Sequence, residues 1–244
     1  SGMSLADVSN LVKGPVNTFV NMDILRGKEK LNKKIIRKEI NIKTVKSSND
    51  KNIGYIQISS FISTSTPNEF LEALENTQNA KGLIVDLRGN TGGLLTNAIF
   101  IANIFIEKGK LVSIVGRNGY RYDVMAQDTN LDIEKPVIIL VNGTSASASE
   151  ILSGAMKDYH RAKIIGTKTY GKGVIQQLLT LSNGAGLKIT VEEYYTPNKT
   201  KINKVGITPD YEILLETSIT REPTDANDTQ LNKAKEILKA KIEN

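Results

Sequence analysis

Leu83 to Leu87 and Val137 to Val141 are short, predominantly apolar runs, and each is followed by a loop of small residues and a helix-length segment. A strand apolar at successive positions has no solvated face, so it must lie inside a sheet covered on both sides. Strand, loop, helix, strand is the order that builds such a sheet, and the chain is therefore expected to be α/β. The first loop, Gly89-Asn90-Thr91-Gly92-Gly93, precedes a helix through Ile99 and Phe105. The second, from Gly143, precedes a helix from about Ser147 to Tyr159.

The remaining elements fit around this frame. Leu5, Val8, Leu11 and Val12 have helical spacing and stop at Gly14-Pro15; Thr18 to Leu25 and Lys34 to Val45 read as strands, and Ser47 to Asn52 as a polar turn before a strand at Ile53 to Ile58. Thr66-Pro67-Asn68-Glu69 has the spacing of an N-cap, a first-turn proline and a capping-box glutamate. That helix is expected to run toward Gly82. Asn118-Gly119 signals a two-residue hairpin turn. Ala162 to Ile165, Ile175 to Leu181 and Leu187 to Tyr194 are further strands, and Asp228 to Ile242 is a lysine-rich amphipathic helix. The opening Ser1-Gly2-Met3 resembles an expression scar, with no signal-peptide pattern after it. The expected division is a scar over 1–3, a small segment with a connecting strand over 4–46, a core over 47–220 and a closing helix over 221–244.

Composition excludes several chemistries. The 244 residues contain no cysteine and one histidine, His160. A disulfide scaffold, a cysteine zinc site, a thiol nucleophile and a multi-histidine metal centre are all ruled out, and the serine/lysine chemistry read below needs no metal or other cofactor. No apolar run approaches the ~18 residues of a membrane helix. The net charge is +6, with the basic excess concentrated near the start. Lys28 to Lys38 alternates with Leu31, Ile35 and Ile36 without aromatics, which fits a solvated strand face; no nucleic-acid partner is expected.

Three loops at strand ends can carry chemistry. Gly166 to Lys172 fits G-x-x-x-x-G-K, but Gly173 stands where a phosphate-binding loop needs Ser or Thr, and a strand follows instead of a helix. Nucleotide binding is therefore a minor reading. Gly143-Thr144-Ser145-Ala146-Ser147 departs from the nucleophile-elbow pattern at its last residue. His160, at the far end of the helix from Ser147, lies about 20 Å away at 1.5 Å per residue and cannot easily be a base. A lysine can replace histidine when burial populates its free amine. Lys172, between Gly171 and Gly173, is the candidate, with Gln176 placed to orient the amine; Lys168 reads as solvated.

Gly54-Tyr55-Ile56, Asp86-Leu87-Arg88-Gly89-Asn90-Thr91-Gly92-Gly93, Ser145-Ala146-Ser147-Ala148-Ser149-Glu150-Ile151, Gly171-Lys172-Gly173 with Gln176, and Gly206-Ile207-Thr208-Pro209-Asp210 occur in this order. Together they resemble the carboxyl-terminal processing (tail-specific) serine protease family over about Lys43 to Glu212. The resemblance implies a crotonase-like protease core of repeated strand-helix units and a Ser147/Lys172 dyad supported by Gln176. It also implies an oxyanion hole from the backbone N–H of Ala148 and of Gly92 or Gly93. The implied activity is endopeptidase cleavage of polypeptides near accessible C-termini, outside the cytoplasm in the periplasm or cell envelope. A silent scaffold or peptide-binding module of the same fold is the alternative. Leu5 to Arg26 resembles the last helix and strand of a PDZ domain, of which about half is present. His160 stands where such proteases often carry glycine.

Overall fold

In the computed structural model of the chain, residues 2–40, 42–129, 131, 133–214 and 227–243 are described. The chain divides into two compact units, Ser1–Ile42 and Lys43–Asn244.

In the first unit, helix α1 (Leu5–Val12) is capped by Ser4, whose Oγ accepts the Asp7 N–H at 3.2 Å while the Asp7 carboxylate accepts the Ser4 N–H. Strands β1 (Phe19–Arg26) and β2 (Glu29–Ile36) form an antiparallel hairpin, Phe19 opposite Ile36. The strand expected over Lys34 to Val45 thus begins earlier and ends at Ile36. There the chain turns so that Arg37 donates to Val12 O at 2.8 Å and Phe19 O at 2.7 Å, joining the helix end to the hairpin. No described side chain of this unit is buried, and β2 has the solvated character its charge pattern implied.

The second unit runs β3 (Val45–Asp50), β4 (Ile53–Ile58), α2 (Thr66–Asn76), β5 (Gly82–Asp86), α3 (Leu95–Phe105), β6 (Lys110–Gly116), β7 (Arg121–Met125), β8 (Val137–Val141), α4 (Ala148–Asp158), β9 (Ala162–Gly166), β10 (Val174–Thr180), β11 (Gly186–Tyr195), β12 (Tyr211–Glu212) and α5 (Thr229–Glu243). Six strands form a sheet in the order β12-β9-β8-β5-β4-β3, parallel except for the antiparallel edge strand β3. Every residue of β5 and β8 is buried, as their apolar runs require. One face packs Ile56, Val85 and Ile139 against Phe70, Ile101 and Leu152 of α2, α3 and α4. The other packs Tyr55, Ile84 and Ile138 against Leu231, Ala234 and Leu238 of α5. A second, antiparallel sheet of order β10-β11-β6-β7 joins α4 through Ile114, Tyr194, Ile151 and Ile207. The fold is mixed α/β.

Three local expectations are corrected. Ser47 to Asn52 is mostly strand: β3 pairs with β4, Val45 opposite Ile58 and Asp50 opposite Ile53. This pairing draws Val45 and Lys46 into the larger unit, so the division falls at 42/43 and not at 46/47. Helix α2 is capped at Ser65, one residue before Thr66, and ends at Asn76, well short of Gly82. Its Glu69 accepts the Ser65 hydroxyl at 2.6 Å and the Thr44 and Val45 N–H groups at 2.7 and 3.0 Å, none of which is the N-cap N–H that a capping box uses. The boundary placed at 220/221 lies outside the described residues.

Candidate active site

Strands β5 and β8 are parallel neighbours, so the loops leaving their C-terminal ends lie side by side. Three bonds stitch them together. Asn142 Oδ1 accepts the Gly89 N–H at 3.1 Å, Ser145 Oγ donates to Leu87 O at 2.8 Å, and the Ala146 N–H donates to Asn90 O at 3.0 Å. Asn90 is fully buried, and its side chain both donates to Ile58 O and accepts the Gly92 N–H.

Ser147 ends the second loop as the N-cap of α4, with φ +56° and ψ −113°. A side-chain-bearing residue held there stores roughly 1–3 kcal/mol of backbone strain. A sharp strand-to-helix elbow is therefore present, centred on Ser147 and not on Ser145, where the G-x-S-x-G comparison looked for it. Serines occupy the flanking positions. The Ser145 hydroxyl is spent on Leu87 O, and that of Ser149 donates to Asn90 O at 2.9 Å; both residues are fully buried. Ser147 is half-buried; its hydroxyl oxygen faces the Glu150 N–H in a capping box, and its proton is donated to no group among the described residues.

Glu150, three residues on, is fully buried. Its Oε2 accepts the N–H groups of Ser147 and Lys172, each at 2.8 Å; Oε1 accepts the Thr169 hydroxyl at 2.6 Å and the Gly171 N–H at 2.7 Å. This carboxylate joins the serine elbow to the loop between β9 and β10. It also removes the phosphate-binding reading of Gly166 to Lys172, because two of the N–H groups such a cradle would aim at phosphate already face an anion, and β10 is a strand. In the sequence, the three-residue spacing from Ser147 to Glu150 signals a capping box, and nothing there shows that the carboxylate also holds the Thr169, Gly171 and Lys172 donors.

Gly92 has φ +102°, and a Cβ there would lie 2.8 Å from Ala146 O and 2.9 Å from Ser147 Cβ, so only glycine lets the loop approach the serine this closely. The Gly92 N–H is held by Asn90 Oδ1 at 2.9 Å. The N–H groups of Gly93 and Ala148 make no hydrogen bond among the described residues, and Gly93 is exposed.

Lys172 is not sheltered. It is exposed, and its amine makes no hydrogen bond or ion pair among the described residues, to Ser147 or to any other group. The flanking glycines do pack closely, but against a later segment: a Cβ on Gly171 would meet the backbone of 204–206, and one on Gly173 would lie 2.3 Å from the Asn203 N. They fix the start of β10 and leave the lysine stem uncovered. Gln176 is exposed too; its Nε2 lies 3.4 Å from Thr190 Oγ1 on β11. Lys168 is solvated as expected. His160 sits past the C-terminus of α4 at φ +54°, where its N–H donates to Lys157 O and the next N–H, of Arg161, donates to Met156 O. These two bonds form the turn that usually carries glycine.

The site therefore sets a strained serine at a helix N-terminus of a mixed α/β fold, beside a glycine turn in which the Gly93 N–H is unpaired among the described residues. The chain belongs to peptidase family S41, whose model matches residues 52–213. It is 41% identical over 221 residues to a carboxy-terminal-processing protease of Bartonella bacilliformis, covering 86% of this chain and 50% of that protein. It is 37% identical over 246 residues to a carboxyl-terminal-processing protease of Synechocystis sp., covering 97% and 57%. A solved photosystem II D1 C-terminal processing protease superposes with a TM-score of 0.66 at 32% identity, covering 89% of this chain and 62% of that one. The chain thus spans about half the length of these curated relatives.

Proposed function

We propose that this chain carries the catalytic core of a serine endopeptidase that cleaves polypeptides near accessible C-termini, on a crotonase-like core. The observation that carries the reading is the Ser147 hydroxyl, its proton uncommitted on strained backbone between two serines whose hydroxyls are donated to backbone carbonyls. The free amine of Lys172 takes the Ser147 Oγ proton as Oγ bonds to the substrate carbonyl carbon. The oxyanion that forms is held by the N–H groups of Ala148 and Gly93, and Gly92 serves by its closeness and not as a donor. The C–N bond then breaks as the lysine returns the proton to the leaving amine, and water releases the acyl group from Ser147. Gln176 orients the amine.

Since Lys172 is exposed here, the reading requires its side chain to swing toward Ser147, with a bound peptide covering the pair and excluding water. The test is turnover of an unstructured peptide. Ser147→Ala and Lys172→Ala each abolish cleavage while circular dichroism is unchanged; normal turnover in either overturns the assignment.

A second reading, a catalytically silent module of the same fold, is favoured by the exposed lysine alone, and a folded wild type that cleaves no peptide would support it. The order α1, β1, β2 supports reading the first unit as part of a PDZ-like segment. Among the described residues no helix is long and apolar enough to cross a membrane. An extracytoplasmic setting rests on the family resemblance.

A further inference from the structure

Arg88 leads directly into the glycine loop, and its side chain is fully buried. Its Nε donates to both Asp86 oxygens at 3.0 Å, and Nη2 pairs with Asp86 Oδ2 at 2.6 Å. The other side of the guanidinium is met from the far end of the chain. Nη1 donates to Asp228 Oδ1 and Gln230 Oε1, each at 3.0 Å, and Nη2 lies 2.8 Å from Asp228 Oδ2. Asp86 and Asp228 are also fully buried.

Two carboxylates around one guanidinium leave a net negative charge out of water, which is costly unless further donors meet it. They are present. The Tyr55 hydroxyl donates to Asp86 Oδ2 at 2.7 Å, and Asp228 caps α5, with Oδ1 accepting the Leu231 N–H at 2.9 Å at the positive end of the helix. Burial opposes the charge on Arg88, but Asp86 and Asp228 outweigh it and hold the guanidinium above its ordinary pKa. Removing one carboxylate therefore leaves a buried cation half-satisfied at the root of the loop that carries Gly92 and Gly93.

We infer that α5 is part of the active-site framework: Asp228, with Gln230, is a positioning residue that holds the Gly89 to Gly93 loop in place through Arg88. This rests on the proposed oxyanion role of that loop. Asp228→Asn is the informative variant, because asparagine keeps the shape and the capping ability while removing the charge that faces Arg88. Amide hydrogen exchange is compared in wild type, Asp228→Asn, Gln230→Met and the outward-facing control Lys233→Gln. The expected result is at least tenfold faster exchange at Gly89, Asn90 and Gly92 in Asp228→Asn, a smaller change in the same direction in Gln230→Met, and wild-type protection in β8 throughout. Peptide kcat falls about tenfold in Asp228→Asn with KM unchanged. Unchanged loop exchange in a folded variant, or equal acceleration in β8, overturns the inference. If Asp228→Asn does not fold, Gln230→Met decides by the same criterion. Absence of cleavage in every protein, wild type included, counts against the protease reading while the exchange data still decide this one.

Discussion

Oε2 of Glu150 binds the backbone N–H of Lys172 at 2.8 Å, and the same oxygen holds the N–H of Ser147. One buried carboxylate thus sets the spacing between the two main-chain segments that carry the proposed nucleophile and base, whatever the lysine side chain does. Glu150→Gln turns an acceptor-only group into one that points N–H donors at N–H donors. A loss of about 2–4 kcal/mol is expected in urea unfolding, together with loss of peptide cleavage. Wild-type stability in this variant would show that the four donors find other partners.

Strain at Ser147 separates stability from activity. Glycine adopts φ +56° without a Cβ penalty, whereas alanine does not. Ser147→Gly should therefore be about 1 kcal/mol more stable than Ser147→Ala, with both devoid of activity. Paired thermal melts check this, and equal midpoints would contradict it.

The turn after α4 offers a second backbone test, distant from the chemistry. His160 is exposed at φ +54° in a position that favours glycine. His160→Gly is expected to add about 0.5–1 kcal/mol of stability and to leave peptide turnover unchanged. A destabilised variant would mean that the imidazole contributes more than the turn loses.

Glu69 gives a pH dependence. Burial raises its pKa, but hydrogen bonds from Ser65, Thr44 and Val45 outweigh this and hold it below the ordinary 4.5. Its stabilisation is therefore complete above about 4.5 and is lost as pH falls through the lower folded value. Melts from pH 7 to 3 should show wild type above Glu69→Gln at neutral pH, with the gap closing in acid. A gap that persists at pH 3 would contradict the assignment.

The central strands were legible because β5 and β8 write two-sided burial directly into consecutive apolar residues. β3 was not legible. Ser47, Ser48, Asn49 and Asp50 carry turn chemistry, and only pairing with β4, across a reversal at Lys51 with φ +55°, makes them strand. Ser147 could be chosen by family pattern, but the physical reason for the choice lies in Leu87 O and Asn90 O, nearly sixty residues away in the chain. The exposure of Lys172, where burial of its amine was expected, has the same origin. Gly171 and Gly173 do mark close packing, but their partner is the segment near Asn203, and neighbours in sequence cannot reveal which side of the strand that segment covers.

The hydrophilic makeup of β3 also determines how crowded copies of the molecule treat one another. An outermost ladder dressed in lysine, hydroxyls, amide and carboxylate offers an incoming strand few greasy contacts to reward docking. Growth of the sheet from one molecule into the next is thereby discouraged on that flank.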